Sequence, residues 1–194
     1  MNAIAWALLP VAYLIGTFPS AVLVARANGV DIRAVGSGNP GASNVTRVLG
    51  WRRGVWVFVL DIAKGALAAG LGLIVADRPA GYLLGAAAVV GHVFPLWERF
   101  HGGKGVATGG GVAAVVAPIA FGVLIVAWFL ISKLTGKASL ASIVIVAALP
   151  FGVWFEQRRW WEVLAIIGVC VLVMARHLGN IRRLLGGREP DLAR

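Results

Sequence analysis

Acidic side chains are scarce. Eight aspartates and glutamates stand against eighteen lysines and arginines, a formal net charge of +10. There are three histidines and one cysteine. A lone cysteine excludes an intrachain disulfide framework, and Cys170, inside an apolar run, reads as a small buried residue. The histidines and acids show no metal-ligand spacing, so no metal and no other cofactor is expected. A Ser-His-Asp order is not evident either. Charged residues make up 13% of the chain, where a soluble domain carries about 25%. Internal repeats, low-complexity tracts and soluble linkers are missing, so 1–194 is expected to be one domain. A nucleic-acid partner is not expected.

Apolar residues fill the space that charge leaves. The sequence is 59% hydrophobic, with a mean hydropathy of +0.86. Residues 55–76 are interrupted only by Asp61 and Lys64, and 112–131 and 163–175 continue the theme. Crossing a bilayer takes about 20 such residues, so the chain is expected to be an all-α polytopic membrane protein with the lipid bilayer as its partner. The N-terminal run has no basic start and no small-x-small cleavage site, so it reads as a retained helix rather than a signal peptide.

Hydropathy places spans near 3–25, 54–76, 80–97, 112–131, 139–156 and 160–176. Six crossings put Lys133, Lys137 and the basic tail opposite Arg26–Arg53, against the positive-inside rule. Residues 105–131, with Gly109-Gly110-Gly111 and Pro118, instead read as two short helices meeting near Pro118. Seven crossings result, N-terminus out and C-terminus in. Fourteen basic residues then face the cytoplasm: Arg26, Arg33, Arg47, Arg52, Arg53, Arg99, Lys104, Lys133, Lys137, Arg176, Arg182, Arg183, Arg188 and Arg194. Only Arg78, Arg158 and Arg159 face out. Each half of 105–131 would be about 20 Å long, short of the bilayer core, so a cavity open to the cytoplasm is expected at their ends.

Within this frame one motif misleads. Residues 36–41, GSGNPG, match G-x-G-x-x-G, and Asp61 follows twenty residues after the last glycine. That fingerprint requires a strand before it and a βαβ unit around it. Here it lies between two spans, which excludes dinucleotide binding.

The polar clusters of the inner face invite a different reading. In 31–47, glycines let backbone approach a ligand, Ser37, Asn39, Ser43, Asn44 and Thr46 supply neutral hydrogen bonds, and Arg47 offers a fork for phosphate. A turn and a helix N-cap would use the same residue types. In 91–108, Lys104 sits between Gly103 and Gly105 at a helix start, an arrangement suited to phosphate, though it is no Walker A loop. Lys104 as a snorkelling anchor and His92 as a satisfied core histidine are the plain alternatives. Ser139 and Ser142 open a span, where N-capping is a sufficient role. His177 and Asn180 share a helical face, followed by arginines suited to anionic lipid. Asp61 and Lys64, three apart inside a span, call for an ion pair.

SGNPGASNVTR at 37–47, GHVFPLWERFHGGKGVAT at 91–108, SLAS at 139–142 and HLGNIRRLLGGRE at 177–189 together resemble the bacterial acyl-phosphate:glycerol-3-phosphate acyltransferases. Asp31, Arg33 and the Asp61-x-x-Lys64-Gly65 step fit the same family. The resemblance runs the whole length, with Ser43 where the family often has threonine. It implies an enzyme of the bacterial inner membrane, with seven spans and its active site facing the cytoplasm. It further implies acyl transfer from acyl phosphate to the 1-hydroxyl of sn-glycerol 3-phosphate, giving lysophosphatidic acid and inorganic phosphate. The implied substrate contacts are Ser37, Gly38, Asn39, Gly41, Asn44, Arg47, His92, Gly103, Lys104, Gly105, Thr108, Ser142, His177 and Asn180. Of these, Ser37, Lys104, His177 and Asn180 are the expected catalytic set. The H-x-x-x-x-D pattern of other acyltransferases is absent. Composition alone would also suit a transporter of organic phosphates, but no inverted repeat appears.

Overall fold

The computed structural model describes residues 3–157 and 159–192; Arg158 and Arg194, counted above, lie outside the described residues. Among these the chain forms eleven α-helices and one 3-10 turn, with no strand. The helices gather in two compact units, Met1–Val116 and Ala117–Arg194. The first holds α1 (Ala3–Ala7), α2 (Leu9–Gly16), α3 (Ser20–Arg26), α4 (Ala42–Leu49), α5 (Trp51–Val75), α6 (Arg78–Val93), the turn Leu96–Glu98 and α7 (Val106–Val116). The second holds α8 (Pro118–Thr135), α9 (Ala138–Gln157), α10 (Trp160–Ala175) and α11 (Leu178–Leu185).

Among the described residues, five segments are long and apolar enough to cross a membrane: Leu9–Arg26, Trp51–Val75, Arg78–Glu98, Pro118–Thr135 and Ala138–Gln157. α10 and α11, bent by 57°, would together make a sixth. Polarity is reversed relative to a soluble fold. Leu67, Ile74, Ile119, Val123 and Leu134 are exposed, while Asn44, Asp61, Lys64, His92, His177 and Asn180 are buried. That is the pattern lipid selects, and the protein is a multi-pass membrane protein.

Two helices depart from the sequence reading. The span expected over 3–25 is interrupted between α2 and α3. Pro19 has no N–H and disfavours helical backbone at Phe18, and the Thr17 hydroxyl donates to the Leu14 carbonyl at 2.7 Å to close α2. The break near Pro118 does exist, with Ala117 outside the helical region at φ −148, ψ 68. Its halves are unequal. α7 has 11 residues, about 16 Å. α8 has 18 residues, about 27 Å, because it continues past 131 to Thr135.

Protein side chains meet both helix ends, where the sequence reading expects a cavity. In the first unit, Arg78 Nη2 donates to the Val116 carbonyl at 3.0 Å. In the second, the Ala120 N–H donates to Glu156 Oε2 at 2.8 Å. Polar groups at a helix end in hydrocarbon need such partners.

α7 packs on α5 and α6 by backbone approach. A Cβ on Gly65 would lie 2.0 Å from the Thr108 carbonyl oxygen, and one on Gly111 would lie 2.0 Å from that of Ile62. Lipid tails leave no hydrophobic drive between helices, so close packing of small residues carries the association. Gly65→Ala should therefore cost about 1–3 kcal/mol by overpacking. Gly70→Ala, on the same helix with nothing within 4 Å of its Cβ, should be neutral. Thermal unfolding of the detergent-solubilised protein checks the difference; equal melting temperatures would contradict the packing account.

Candidate functional site

Asp61, in the middle of α5, is 2% exposed. Its Oδ1 accepts from Ser20 Oγ at 2.6 Å and pairs with Lys64 Nζ at 2.9 Å. His92 Nδ1, near the end of α6, lies 3.6 Å away. Lys64 also donates to the Phe18 carbonyl at 3.1 Å, an oxygen released by the α2–α3 break. The expected ion pair is present, and it is joined to two further elements. Lys64, His92, Ser20, Arg33, Glu98, Gly102 and Gly103 line part of a small, half-open cleft.

Two loops border this hub. The first, 27–41, is shaped by Asn44 from α4. Asn44 Oδ1 accepts from the Ser37 N–H at 2.8 Å and from Arg47 Nη1 at 3.3 Å. Its amide donates to the carbonyls of Ile32 and Val35, both at 3.1 Å. Gly36 is required here: its φ is +61, and a Cβ would lie 2.2 Å from Asn44 Oδ1. Asn44 thus spends its hydrogen bonds on the loop and on Arg47. Ser37 is exposed, and Gly38, Asn39, Gly41 and Arg47 are half-buried around it.

The second loop, 94–105, is sewn to its surroundings at both ends. Tyr13 Oη donates to the Phe94 carbonyl at 2.7 Å, and Trp97 Nε1 to Thr17 Oγ1 at 3.0 Å. The N–H groups of Gly102 and Gly103 donate to the carbonyls of Val93 and His92, each at 3.1 Å. A Cβ on Gly103 would lie 2.1 Å from His92 Nε2, so the loop rests on that imidazole. Between these ends Arg99 and Phe100 both have positive φ, 51 and 62, a conformation costing roughly 1–2 kcal/mol per non-glycine residue. Arg33 from the first loop reaches this strained turn. Its Nη1 lies 2.7 Å from Glu98 Oε2, and its Nη2 donates to the His101 carbonyl at 2.9 Å. Lys104, half-buried, follows, and Gly105 turns the chain into α7 with φ +89. Thr108, in the first turns of α7, is fully buried with no hydrogen-bond partner for its hydroxyl.

The second unit has its own polar cluster. His177 is buried at the α10–α11 bend, with Nδ1 2.8 Å from the Val173 carbonyl. A carbonyl only accepts, so Nδ1 holds the proton of the neutral ring and Nε2 is the acceptor nitrogen. Asn180 Nδ2 donates to Glu189 Oε1 at 2.6 Å, and Arg183 Nε to Glu189 Oε2 at 2.8 Å. Burial opposes ionisation of Glu189, but the nearby Ser139 hydroxyl, Asn180 amide and Arg183 guanidinium outweigh it and hold the carboxyl below its usual range. Lys137 binds the Glu189 carbonyl and Asp191 Oδ1 at 2.6 Å. Ser142 donates to the Ala138 carbonyl at 2.9 Å and accepts from Trp128 Nε1 at 3.0 Å. Ser139 and Ser142 lie inside α9, which starts at Ala138, so neither is its N-cap.

Sequence reasoning missed Glu189, Ser20 and the tie from Arg33 to Glu98. Glu189 stands in a polar tail without periodicity, and Ser20 is one hydroxyl in an apolar run. No local signal marks either as buried. No group of three or more metal-ligating side chains gathers among the described residues.

Helices that bury their polar residues, joined by basic glycine-rich loops, define a class of integral membrane protein. Residues 6–187 match the family model of glycerol-3-phosphate acyltransferase, and the chain belongs to that family. It is 41% identical to the glycerol-3-phosphate acyltransferase of Bacillus cytotoxicus over 191 residues, covering 96% of this chain and 94% of the relative. Two crystal structures of PlsY (YgiH), an integral membrane glycerol 3-phosphate acyltransferase, are similar throughout. The glycerol 3-phosphate form has a TM-score of 0.89 at 38% identity, covering 97% of this chain and 96% of that one. The lysophosphatidic acid form has a TM-score of 0.90 at 36% identity, covering 97% and 95%.

The hub makes a testable demand. Lys64→Met leaves a buried carboxylate without its cation and should cost about 3–5 kcal/mol, much of it recovered in Asp61→Leu/Lys64→Met. Thermal unfolding in detergent measures both. A Lys64→Met variant as stable as wild type would remove the ion pair from the account.

Proposed function

We propose that the whole chain is one acyltransferase domain that moves an acyl group from acyl phosphate to the 1-hydroxyl of sn-glycerol 3-phosphate. The hydroxyl oxygen forms the ester bond to the acyl carbon. The bond from that carbon to the phosphate oxygen breaks, and the hydroxyl proton ends on the departing phosphate. The products are lysophosphatidic acid and inorganic phosphate, so the reaction starts phospholipid synthesis. The observation that carries this reading is Lys104 between two buried glycines at the head of α7, in a chain of this family. Family membership supports the acceptor. The donor rests on the motif resemblance.

Lys104 and Arg47 hold phosphate, and Ser37, Gly38, Asn39, Gly41, Gly103, Gly105, Thr108 and Ser142 complete the substrate contacts. Asn44 acts by fixing Ser37 and Arg47, and His92 by supporting Gly103. His177 and Asn180 orient substrate, and the acyl phosphate's own oxygen takes the proton. Anhydride-like phosphate is already a good leaving group, so positioning and oxyanion stabilisation supply the rest.

Phosphate release by purified protein, given acyl phosphate with and without glycerol 3-phosphate, tests the reaction; release independent of glycerol 3-phosphate contradicts it. Lys104→Ala should lose at least about tenfold in kcat/KM. Lys104→Arg should also fail, since a planar fork replaces a point charge between glycines. The proton route is read from the pH profile of kcat in wild type and His177→Asn. If His177 is the base, the acidic limb of the profile vanishes in the variant and the rate collapses. If substrate takes the proton, the limb persists with a moderate loss.

The enzyme sits in the bacterial inner membrane with seven crossings, N-terminus out, C-terminus in, and its site facing the cytoplasm. α7 is the short crossing. In a Cys170→Ser background, a cysteine at Thr135 should then resist an impermeant thiol reagent added outside intact cells. Labelling from outside would reverse this topology.

A further inference from the structure

We infer that Arg33 is a positioning residue for Lys104: it clamps the turn Glu98–His101 and so fixes where the second loop delivers the ammonium. The inference rests on the phosphate-binding role proposed for Lys104. The turn needs an external hold. Arg99 and Phe100 occupy the left-handed region at φ 51 and 62, where non-glycine residues are uncommon. Its internal bonds, from the N–H groups of Phe100 and His101 to the carbonyls of Pro95 and Glu98, close the turn without tying it to the body of the protein.

Arg33 supplies that tie with two bonds from one planar fork. One goes to the Glu98 carboxylate at 2.7 Å and one to the His101 carbonyl at 2.9 Å. The Glu98 side chain is only 15% exposed, so the pair is shielded more than an ordinary surface bridge. Arg33 is itself fixed, because its N–H donates to Asp31 Oδ1 at 3.0 Å. From His101 the chain has two residues, Gly102 and Gly103, before Lys104. Both pack tightly on His92 and donate their N–H groups to the carbonyls of Val93 and His92, so the segment leading to Lys104 is held on that side by backbone bonds and on the other by Arg33. Without Arg33 those two backbone bonds are left to hold the segment against the strained turn, and the position of Lys104 loosens with them.

The test is a kinetic cycle by phosphate release, with glycerol 3-phosphate varied, on Arg33→Ala, Lys104→Ala and the double variant. Arg33→Ala should lower kcat/KM at least about fivefold. The double variant should fall within about twofold of Lys104→Ala, because without the ammonium its placement no longer matters. Arg33→Lys, which keeps the Glu98 pair but lacks the fork, should recover part of the loss. If Arg33→Ala does not fold, Glu98→Gln takes its place in the cycle and is read in the same way. Wild-type kinetics in the clamp variants, or losses that multiply in full as for two independent substrate contacts, would overturn the inference. Wild-type kinetics in Lys104→Ala would instead strike the phosphate role itself, and the clamp with it.

Discussion

A carboxylate in the middle of a membrane helix has to be compensated, and in this protein much of the first unit is arranged around Asp61. An uncompensated charge at that depth costs roughly 3 kcal/mol or more. Lys64, one turn away on α5, cancels the charge, but one cation does not occupy every lone pair. Ser20 fills another position, and His92 comes near. Each compensation fixes a separate piece of chain. Lys64 also satisfies Phe18, so the interruption of the first helix is held open at the depth of the ion pair. His92 ends up beneath Gly103, so the loop that carries Lys104 is laid on the same cluster. The polar demand of one side chain thus gathers the N-terminal break, the end of α6 and the glycine loop.

The glycines solve the complementary problem. Because lipid offers no hydrophobic drive between helices, α5 and α7 associate through backbone contact at Gly65 and Gly111. That closeness lets an eleven-residue helix be held from its sides. Its last carbonyl would otherwise face hydrocarbon, and Arg78 meets it. Outward placement of Arg78 in the charge count and its contact with Val116 suit one snorkelling side chain, with an apolar stem and a polar tip at the helix end.

Where the signal was local, the sequence carried it. Asp61 and Lys64 are three apart, so their pairing follows from helix geometry alone. Pro118 and the preceding glycines marked a helix boundary, and the failure of G-x-G-x-x-G followed from the apolar runs around it. The full length of α8 is hidden because Ser132 and Lys133 look like an end, although the helix continues past them. The break at Pro19 leaves no trace in hydropathy, which does not register a missing N–H. The roles of individual polar residues were the least legible. Asn44 looks like a ligand donor until its amide is found between Ile32 and Val35. Glu98 carries no local signal of its pairing with Arg33. Which partner a polar side chain meets depends on residues far away in sequence, and no period or motif records that.

The scarcity of acids bears on the chemistry. Eight are present, and each is committed to structure. Asp61, Glu98, Glu162, Glu189 and Asp191 pair with Lys64, Arg33, Arg159, Arg183 and Lys137. Asp31, Asp77 and Glu156 accept from the backbone N–H groups of Arg33, Ala80 and Ala120. A carboxylate that takes a proton loses the charge that these contacts use, so a general base recruited from this set would loosen a loop, a helix end or the central hub at each turnover. The remaining candidates are the histidines and the substrate. His92 lies under Gly103, where a proton exchanged on its ring would disturb the support of the glycine loop. His177 has its Nδ1 proton tied to Val173, which leaves Nε2 as its one acceptor atom. In the reaction proposed above, the acyl phosphate brings its own anionic oxygens to the reacting hydroxyl. For a chain that holds its few acids in place and carries a large excess of basic side chains, letting the substrate accept the proton leaves every structural charge undisturbed.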